Sequence, residues 1–239
     1  DVSNFRIRSI DHRGLDVASK VLELDALIVF EAETCFDLSA APLLRVTLVR
    51  QEDNLSVLLL AMHHIITDGW SMGVIVAEWA ALYNEIVTGV PAELSPLPLQ
   101  YIDFADAQNR WLADGNAVAL LNYWCDRLQG APDCVDLPTD FNRPPNLLFD
   151  SRAESAHIDR SLLSELRTLA ASKQSTLFMM LFAAFNVLLA RLSGQCDIVV
   201  GVPRASRHLA NVESLVGFFI NNLPIRVKFD IDASFDDLL

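Results

Sequence analysis

The sequence has no cluster of lysine and arginine. Its 239 residues carry 18 Lys and Arg against 31 Asp and Glu, a net charge of −13. Phosphate recognition needs basic patches, so a nucleic-acid partner is excluded as an expectation. There is no C-x-x-C pair and no metal-ligand spacing. Cys35, Cys125, Cys134 and Cys196 are far apart, which predicts reduced thiols in a cytoplasmic protein and no metal site. No signal-peptide pattern and no initiator Met open the chain, and it closes on "SFDDLL", which reads as a helix start. Both ends are therefore expected to be cut from a longer protein. The longest apolar run, 176–192, falls short of the roughly 20 residues that span a bilayer, with Asn186 inside it and Arg191 near its end. It predicts a buried core helix, not a membrane segment.

What is present is ample core material: 52 % apolar residues and 21 % charged, without repeats or low-complexity stretches. Residues 42–50 and 55–64 read as two strands joined by the turn "QEDN", hence an antiparallel hairpin. The second run is continuously apolar, which predicts a central strand buried on both faces. Ser71 is the expected cap of the next helix, whose Ile75, Trp79, Leu82 and Ile86 share a face. Gly89 and Pro91 end it. One long or broken helix follows over 101–130, then a Pro-rich, loop-like stretch over 131–151. Further expected elements are a short strand near Glu154 to Ile158, a helix from Ser161 with Leu162, Leu166, Leu169 and Ala170 on one face, and a buried helix ended by Gly194. Strands at "CDIVVGVP" and "NNLPIRVKFDI" complete the reading. Strands and helices mix without strict alternation, so the fold class is α+β in two lobes.

The segment "LLLAMHHIITDGWSMGV", 58–74, concentrates chemistry. If the strand continues through His63 and His64, alternation sends their rings to opposite faces, and only one serves a given cavity. Metal binding is disfavoured, because divergent histidines lack a third ligand at short spacing. Nucleophilic catalysis is disfavoured as well: no G-x-S-x-G elbow exists and no cysteine lies near the pair. General base chemistry remains, from an imidazole on a dry wall with a fixed tautomer. Asp68 is placed to hold the loop or lock a cation. Gly69 leaves room for something narrow beside the imidazole.

"MHHIITDGWS" resembles the H-H-x-x-x-D-G signature of condensation domains from nonribosomal peptide synthetases. "FDLSAAPLLRVTLVR", "LQYIDFADAQNRWL", "YWCDRLQGAPDCVDLPTDFNRPP", "DIVVGVPRASR" and "LVGFFINNLPIRV" resemble further segments of that family, in the family's order; Asn222 stands where Thr is usual. The resemblance covers nearly all of the chain and about half of a complete domain. It implies a chloramphenicol acetyltransferase-like fold, two lobes in a V with a tunnel between them, and a partial domain here: 1–145 in the first lobe, 146–239 in the second. It implies peptide-bond formation between thioesters on the phosphopantetheine arms of donor and acceptor carrier proteins, beside an adenylation domain, with no cofactor bound directly. It makes His64 the catalytic residue, His63 structural, and Asp68 the partner of an arginine across the lobes, for which Arg207 is the candidate. Gly69 then admits the acceptor arm, and Trp70, Ser71 and Asn221 line the tunnel. Acyl-CoA-dependent acyltransferases share the signature and are the alternative; a recruitment module without catalysis is another, disfavoured because His63, His64, Asp68 and Gly69 all stand. Heterocyclization and epimerization branches lack this motif or its D-G-W-S continuation.

Overall fold

The computed structural model describes residues 5–142, 153–207, 211–230 and 232–239. The elements in chain order are β1 (Arg8–Asp11), α1 (Val17–Glu33), β2 (Leu44–Arg50), β3 (Ser56–Met62), a 3-10 turn (His64–Ile66), α2 (Gly69–Thr88), α3 (Tyr101–Ala113), α4 (Val118–Leu128), α5 (Arg160–Ser172), α6 (Leu177–Ser193), β4 (Asp197–Ala205), β5 (Ile220–Lys228) and α7 (Phe235–Leu238). The class is α+β, as the sequence predicts. Two compact units emerge: Asp1–Arg110 with Ala205–Asn221, and Trp111–Arg204 with Asn222–Leu239. The boundaries between the units fall after Arg110, Arg204 and Asn221. Of the predicted linker 131–151, residues 143–151 lie outside the described residues, and 131–142 carry no helix or strand.

The first unit is built on a three-stranded sheet in the order β1-β2-β3. β1 runs parallel to β2, and β3 runs antiparallel to it with Leu44 opposite Met62 and Arg50 opposite Ser56. The predicted hairpin is therefore present. Among the described residues the middle strand of this sheet is β2, whose Val46, Thr47 and Val49 are buried, not the predicted β3. β3 is half-buried and pairs on one side only among the described residues. A continuous apolar run reports burial on two faces, not ladder partners on two edges, so it does not give a strand's place in the sheet. The sequence reading named neither β1 nor α1. The apolar residues of α1 point in several directions, with Val21, Leu22, Ile28, Val29 and Phe30 exposed, so no single stripe announces it. Its N-cap Asp16 accepts from the Ser19 N–H.

α2 is capped by Asp68, not by Ser71: the Asp68 side chain accepts from the Ser71 N–H, and Gly89 closes the helix at φ 75°. Its Trp79, Leu82 and Ile86 share a face as predicted, yet all three stand exposed, because helical period tells which residues share a face and not what covers it. The predicted long helix is broken into α3 and α4 around Gly115, at φ 77°.

In the second unit, Leu189 and Ala190 of α6 pack with Ile198 of β4 against Val135, Leu137, Val200 and Phe229. α6 buries only one face, Met180, Ala183, Asn186, Leu189 and Ala190, while Phe178, Phe185, Leu188 and Leu192 remain exposed. Thr176 caps it and Gly194 ends it at φ 72°. The stripe on α5 is buried at Ala170 and exposed at Leu162 and Leu169. The strand expected near Glu154 to Ile158 is absent: 153–159 carry no regular structure, and a β-prone run without a ladder partner does not become a strand. Arg226 of β5 pairs with Asp197 and donates to the carbonyls of Arg127, Gln129 and Gly130 at the end of α4. No single helix among the described residues is long and apolar enough to cross a membrane.

Candidate functional site

β3 ends at Met62, one residue before the histidine pair. The ladder gives one more bond, from the His63 N–H to the Leu43 carbonyl at 3.1 Å, and then the chain turns into the 3-10 segment that begins with His64. Strand alternation therefore does not separate the two rings. His63 caps the turn, its Nδ1 accepting from the Ile65 N–H at 3.1 Å. His64 Nδ1 lies 2.6 Å from the Thr67 carbonyl oxygen. A carbonyl only accepts, so Nδ1 carries the proton, and in the neutral ring Nε2 keeps its lone pair. The His64 ring also meets Phe218 edge-on, with centroids 5.3 Å apart. Both histidines border one cleft of about 830 Å³ that follows β3 past the end of α1. The expectation that only one of them would reach a given cavity is corrected by this turn.

Four residues after His64 the chain enters a buried polar knot. Asp68 Oδ1 accepts from the Ser71 N–H at 2.7 Å and from Arg207 Nη2 at 3.1 Å; Oδ2 accepts from the Phe219 N–H at 3.1 Å and from Arg207 Nη2 at 3.3 Å. The side chains are 0 % and 3 % exposed. Arg207 Nη1 donates to the carbonyls of Val212 and Leu215, both at 2.8 Å. The guanidinium stacks 4.0 Å above the Phe219 ring. Burial pushes the Asp68 carboxyl up, but the hydrogen bonds from Ser71 and Phe219 and the charge of Arg207 outweigh it, and the carboxyl ends below its ordinary value. The predicted Asp68–Arg207 pair is thus present. Both members belong to the same compact unit, because the segment Ala205–Asn221 packs with the first 110 residues.

Ser71, expected on a tunnel wall, has no exposed surface. At the third position of α2 it points inward, where its hydroxyl donates to the Gly217 carbonyl at 2.9 Å and accepts from Arg207 Nη2 at 2.7 Å and the Gly217 N–H at 3.0 Å. Trp70 is half-exposed, with Nε1 donating to the Glu213 carbonyl at 2.8 Å. Asn221 is exposed on β5 and donates to the Ser206 hydroxyl at 3.2 Å. Gly69 opens α2, and a Cβ there would meet no atom within 4 Å, so the fold itself does not demand glycine. Gly217 is the opposite case: a Cβ would collide with the Tyr101 ring, whose hydroxyl donates to the Phe218 carbonyl at 2.8 Å. Single-residue reasoning missed both Gly217 and Tyr101. Their signals were the stretches "LVGFFINN" and "LQYIDFA", which come together only in the fold: Val212, Leu215 and Phe219 pack on Leu99, Tyr101 and Phe104.

The whole chain, residues 1–239, matches the family model described as condensation domain. The chain belongs to the condensation-domain family. Among curated proteins, malpinin synthetase of Mortierella alpina is 36 % identical over 233 residues, 98 % of this chain and 3 % of that protein. Phosphinothricin tripeptide synthetase PhsC of Streptomyces viridochromogenes is 39 % identical over 229 residues, 96 % of this chain and 21 % of its own length. Among solved structures, holo-AB3403, a four-domain nonribosomal peptide synthetase bound to AMP and glycine, is 26 % identical with a TM-score of 0.80, over 95 % of this chain and 17 % of that one. The chain therefore spans a small part of the synthetases it matches. Its condensation-domain fold carries the H-H-x-x-x-D-G segment in the turn and helix start described above, with Asp68 and Gly69 at the cap and first residue of α2.

Proposed function

We propose that this chain is the part of a condensation domain that bears its reactive histidine, and that the domain forms amide bonds in nonribosomal peptide assembly. The donor and acceptor substrates ride as thioesters on the phosphopantetheine arms of two carrier proteins, in a cytoplasmic synthetase that also holds an adenylation domain. The acceptor amine attacks the donor thioester carbonyl. The C–N bond forms, the C–S bond breaks, and the sulfur leaves on the donor arm, taking up the proton that the amine gives away. His64 Nε2 is the group that meets the amine, accepting its hydrogen bond and carrying that proton.

One observation carries the reading: the 2.6 Å bond from His64 Nδ1–H to the Thr67 carbonyl, which leaves the lone pair on Nε2 of a histidine that lines the cleft. An α-amine has a pKa of about 8, so part of it is already neutral near pH 7, and orientation of its lone pair supplies much of the benefit. Base assistance contributes about 10² to 10⁴ in rate where it acts. Asp68 and Arg207 support the turn from behind without touching substrate. The open space at Gly69 supports its role as the place where the acceptor arm passes.

The test is single-turnover transfer between two loaded carrier proteins, catalysed by the complete condensation domain containing this chain. His64→Ala should keep the melting temperature and slow transfer by a factor in the general-base range of about 10² to 10⁴. Transfer at the wild-type rate would overturn the assignment. Transfer from a diffusible acyl-CoA donor, with none from a loaded carrier, would favour the acyltransferase alternative.

A further inference from the structure

Arg45 stands on β2, two positions after Leu43, the residue whose carbonyl holds the His63 N–H. Its side chain reaches the last turn of α1. Nε donates to Glu31 Oε2 at 2.9 Å, and Nη2 donates to the backbone carbonyls of Glu31 and Thr34, each at 2.9 Å. The second carboxylate oxygen of Glu31 accepts from the Thr47 hydroxyl at 2.9 Å. Glu31 is 9 % and Thr47 1 % exposed, so the carboxylate end of the cluster is shielded from water, while the Arg45 side chain is 27 % exposed. The Arg45 guanidinium carbon lies 4.0 Å from the centroid of the Phe36 ring, and Phe36 meets the His63 ring edge-on at 6.2 Å and 83°. Both contacts are of the favourable kind for a cation on a ring face and for an aromatic pair.

A cation at the end of a helix is explained by the carbonyls it satisfies. That explanation leaves out the stack on Phe36 and the contact of Phe36 with His63. Nor does fastening α1 to the sheet require charge, because apolar side chains of similar volume commonly replace a buried ion pair with no loss of stability. What the polar cluster adds is direction: Nε is held by Glu31 and Nη2 by the carbonyls of Glu31 and Thr34, and the guanidinium so placed lies over the Phe36 ring.

We propose that Arg45 is a positioning residue for His64: held by Glu31, which Thr47 holds in turn, it clamps Phe36 against His63, whose ring holds the turn that presents His64. The relay is short. His63 Nδ1 accepts from the Ile65 N–H, and Ile65 is the residue next to His64 in the 3-10 turn. The inference rests on the reading of His64 as the group that meets the acceptor amine.

The test uses the complete condensation domain with ring-15N-labelled histidine and two loaded carrier proteins. A triple variant, Glu31→Leu with Arg45→Met and Thr47→Val, replaces the polar cluster by apolar packing. Phe36→Leu keeps every hydrogen bond of the cluster and removes the ring that lies between Arg45 and His63. Single-turnover transfer should fall in the triple variant by about ten- to a hundredfold, the scale of a small misplacement of a reacting group, while half-saturation by the acceptor carrier stays unchanged. The His64 nitrogen resonances should move away from the Nδ1–H, Nε2-lone-pair pattern toward tautomer averaging. Phe36→Leu should shift both readouts in the same direction by less. Wild-type transfer with unmoved His64 resonances in either variant would show that the cluster only fastens α1 to the sheet, and would overturn the proposal. If the triple variant does not fold, Phe36→Leu decides alone. Should His64→Ala prove silent in transfer, the reading of His64 fails, and its nitrogen resonances in Phe36→Leu still decide whether Arg45 holds the ring.

Discussion

Asp68→Asn changes one atom of a buried side chain that accepts four hydrogen bonds. The carboxylate accepts two backbone N–H groups, from Ser71 and Phe219, and faces Arg207 Nη2 with both oxygens. Asparagine keeps one accepting oxygen and turns an NH2 group toward donors. Either the cap of α2 or the bond to Phe219 is lost, and Arg207, with a side chain 3 % exposed, is left charged without a counter-ion. Removing one partner of a buried pair costs roughly 3 to 5 kcal/mol. For a domain of this size each kcal/mol lowers the melting temperature by about 2 to 4 °C, so a fall of roughly 6 to 20 °C is expected by calorimetry or near-UV circular dichroism. Acid should mimic the substitution. A carboxyl more acidic in the folded than in the unfolded state contributes its stability above the unfolded value, about 3.9, and loses it as pH falls through the folded value. The gap between wild type and Asp68→Asn should therefore be full at pH 7 and close below pH 4. An unchanged melting temperature at pH 7 with transfer abolished would refute this account and put Asp68 in the chemistry.

Gly217→Ala should destabilise, because the new methyl collides with the Tyr101 ring; overpacking of this kind costs about 1 to 3 kcal/mol, and a urea melt that matches wild type would show that Tyr101 moves aside freely. Gly69→Ala should keep the melting temperature, since nothing lies within 4 Å of the added carbon, and yet raise the acceptor concentration needed for half-maximal transfer; unchanged acceptor kinetics would mean that no arm passes there. His63→Ala removes one accepted hydrogen bond on a half-buried ring and should lower stability by only about 0.5 to 1.5 kcal/mol, with transfer slowed less than in His64→Ala; a variant slower than His64→Ala would reverse the roles of the pair.

Local chemistry was readable along the chain where a residue acts on its neighbours. Gly89 and Gly194 end helices where their type predicts, and Leu44 to Arg50 pairs with Ser56 to Met62 across a short turn. Where a reading depended on partners far away, it slipped. Ser71 looked like a cap because serine favours that position, but Asp68 took it, and the hydroxyl was drawn inward by Gly217 and Arg207. Alternation through His63 and His64 failed because the ladder ends with the His63 N–H, and nothing in "MHHI" marks that stop.

The sequence by itself determined the family motif, the helix stops and the pairing of two adjacent strands, because these rest on backbone preferences and contacts a few residues apart. Even the Asp68–Arg207 pair was readable from resemblance. Only the tertiary structure decided that β2 lies between β1 and β3, that Gly217 must lack a side chain beneath Tyr101, and that Phe36 lies between the Arg45 guanidinium and the edge of His63. It also put the segment Ala205–Asn221 with the first 110 residues. Each of these joins groups whose separation along the chain carries no local signal, so their meeting is fixed by packing and burial rather than by propensity.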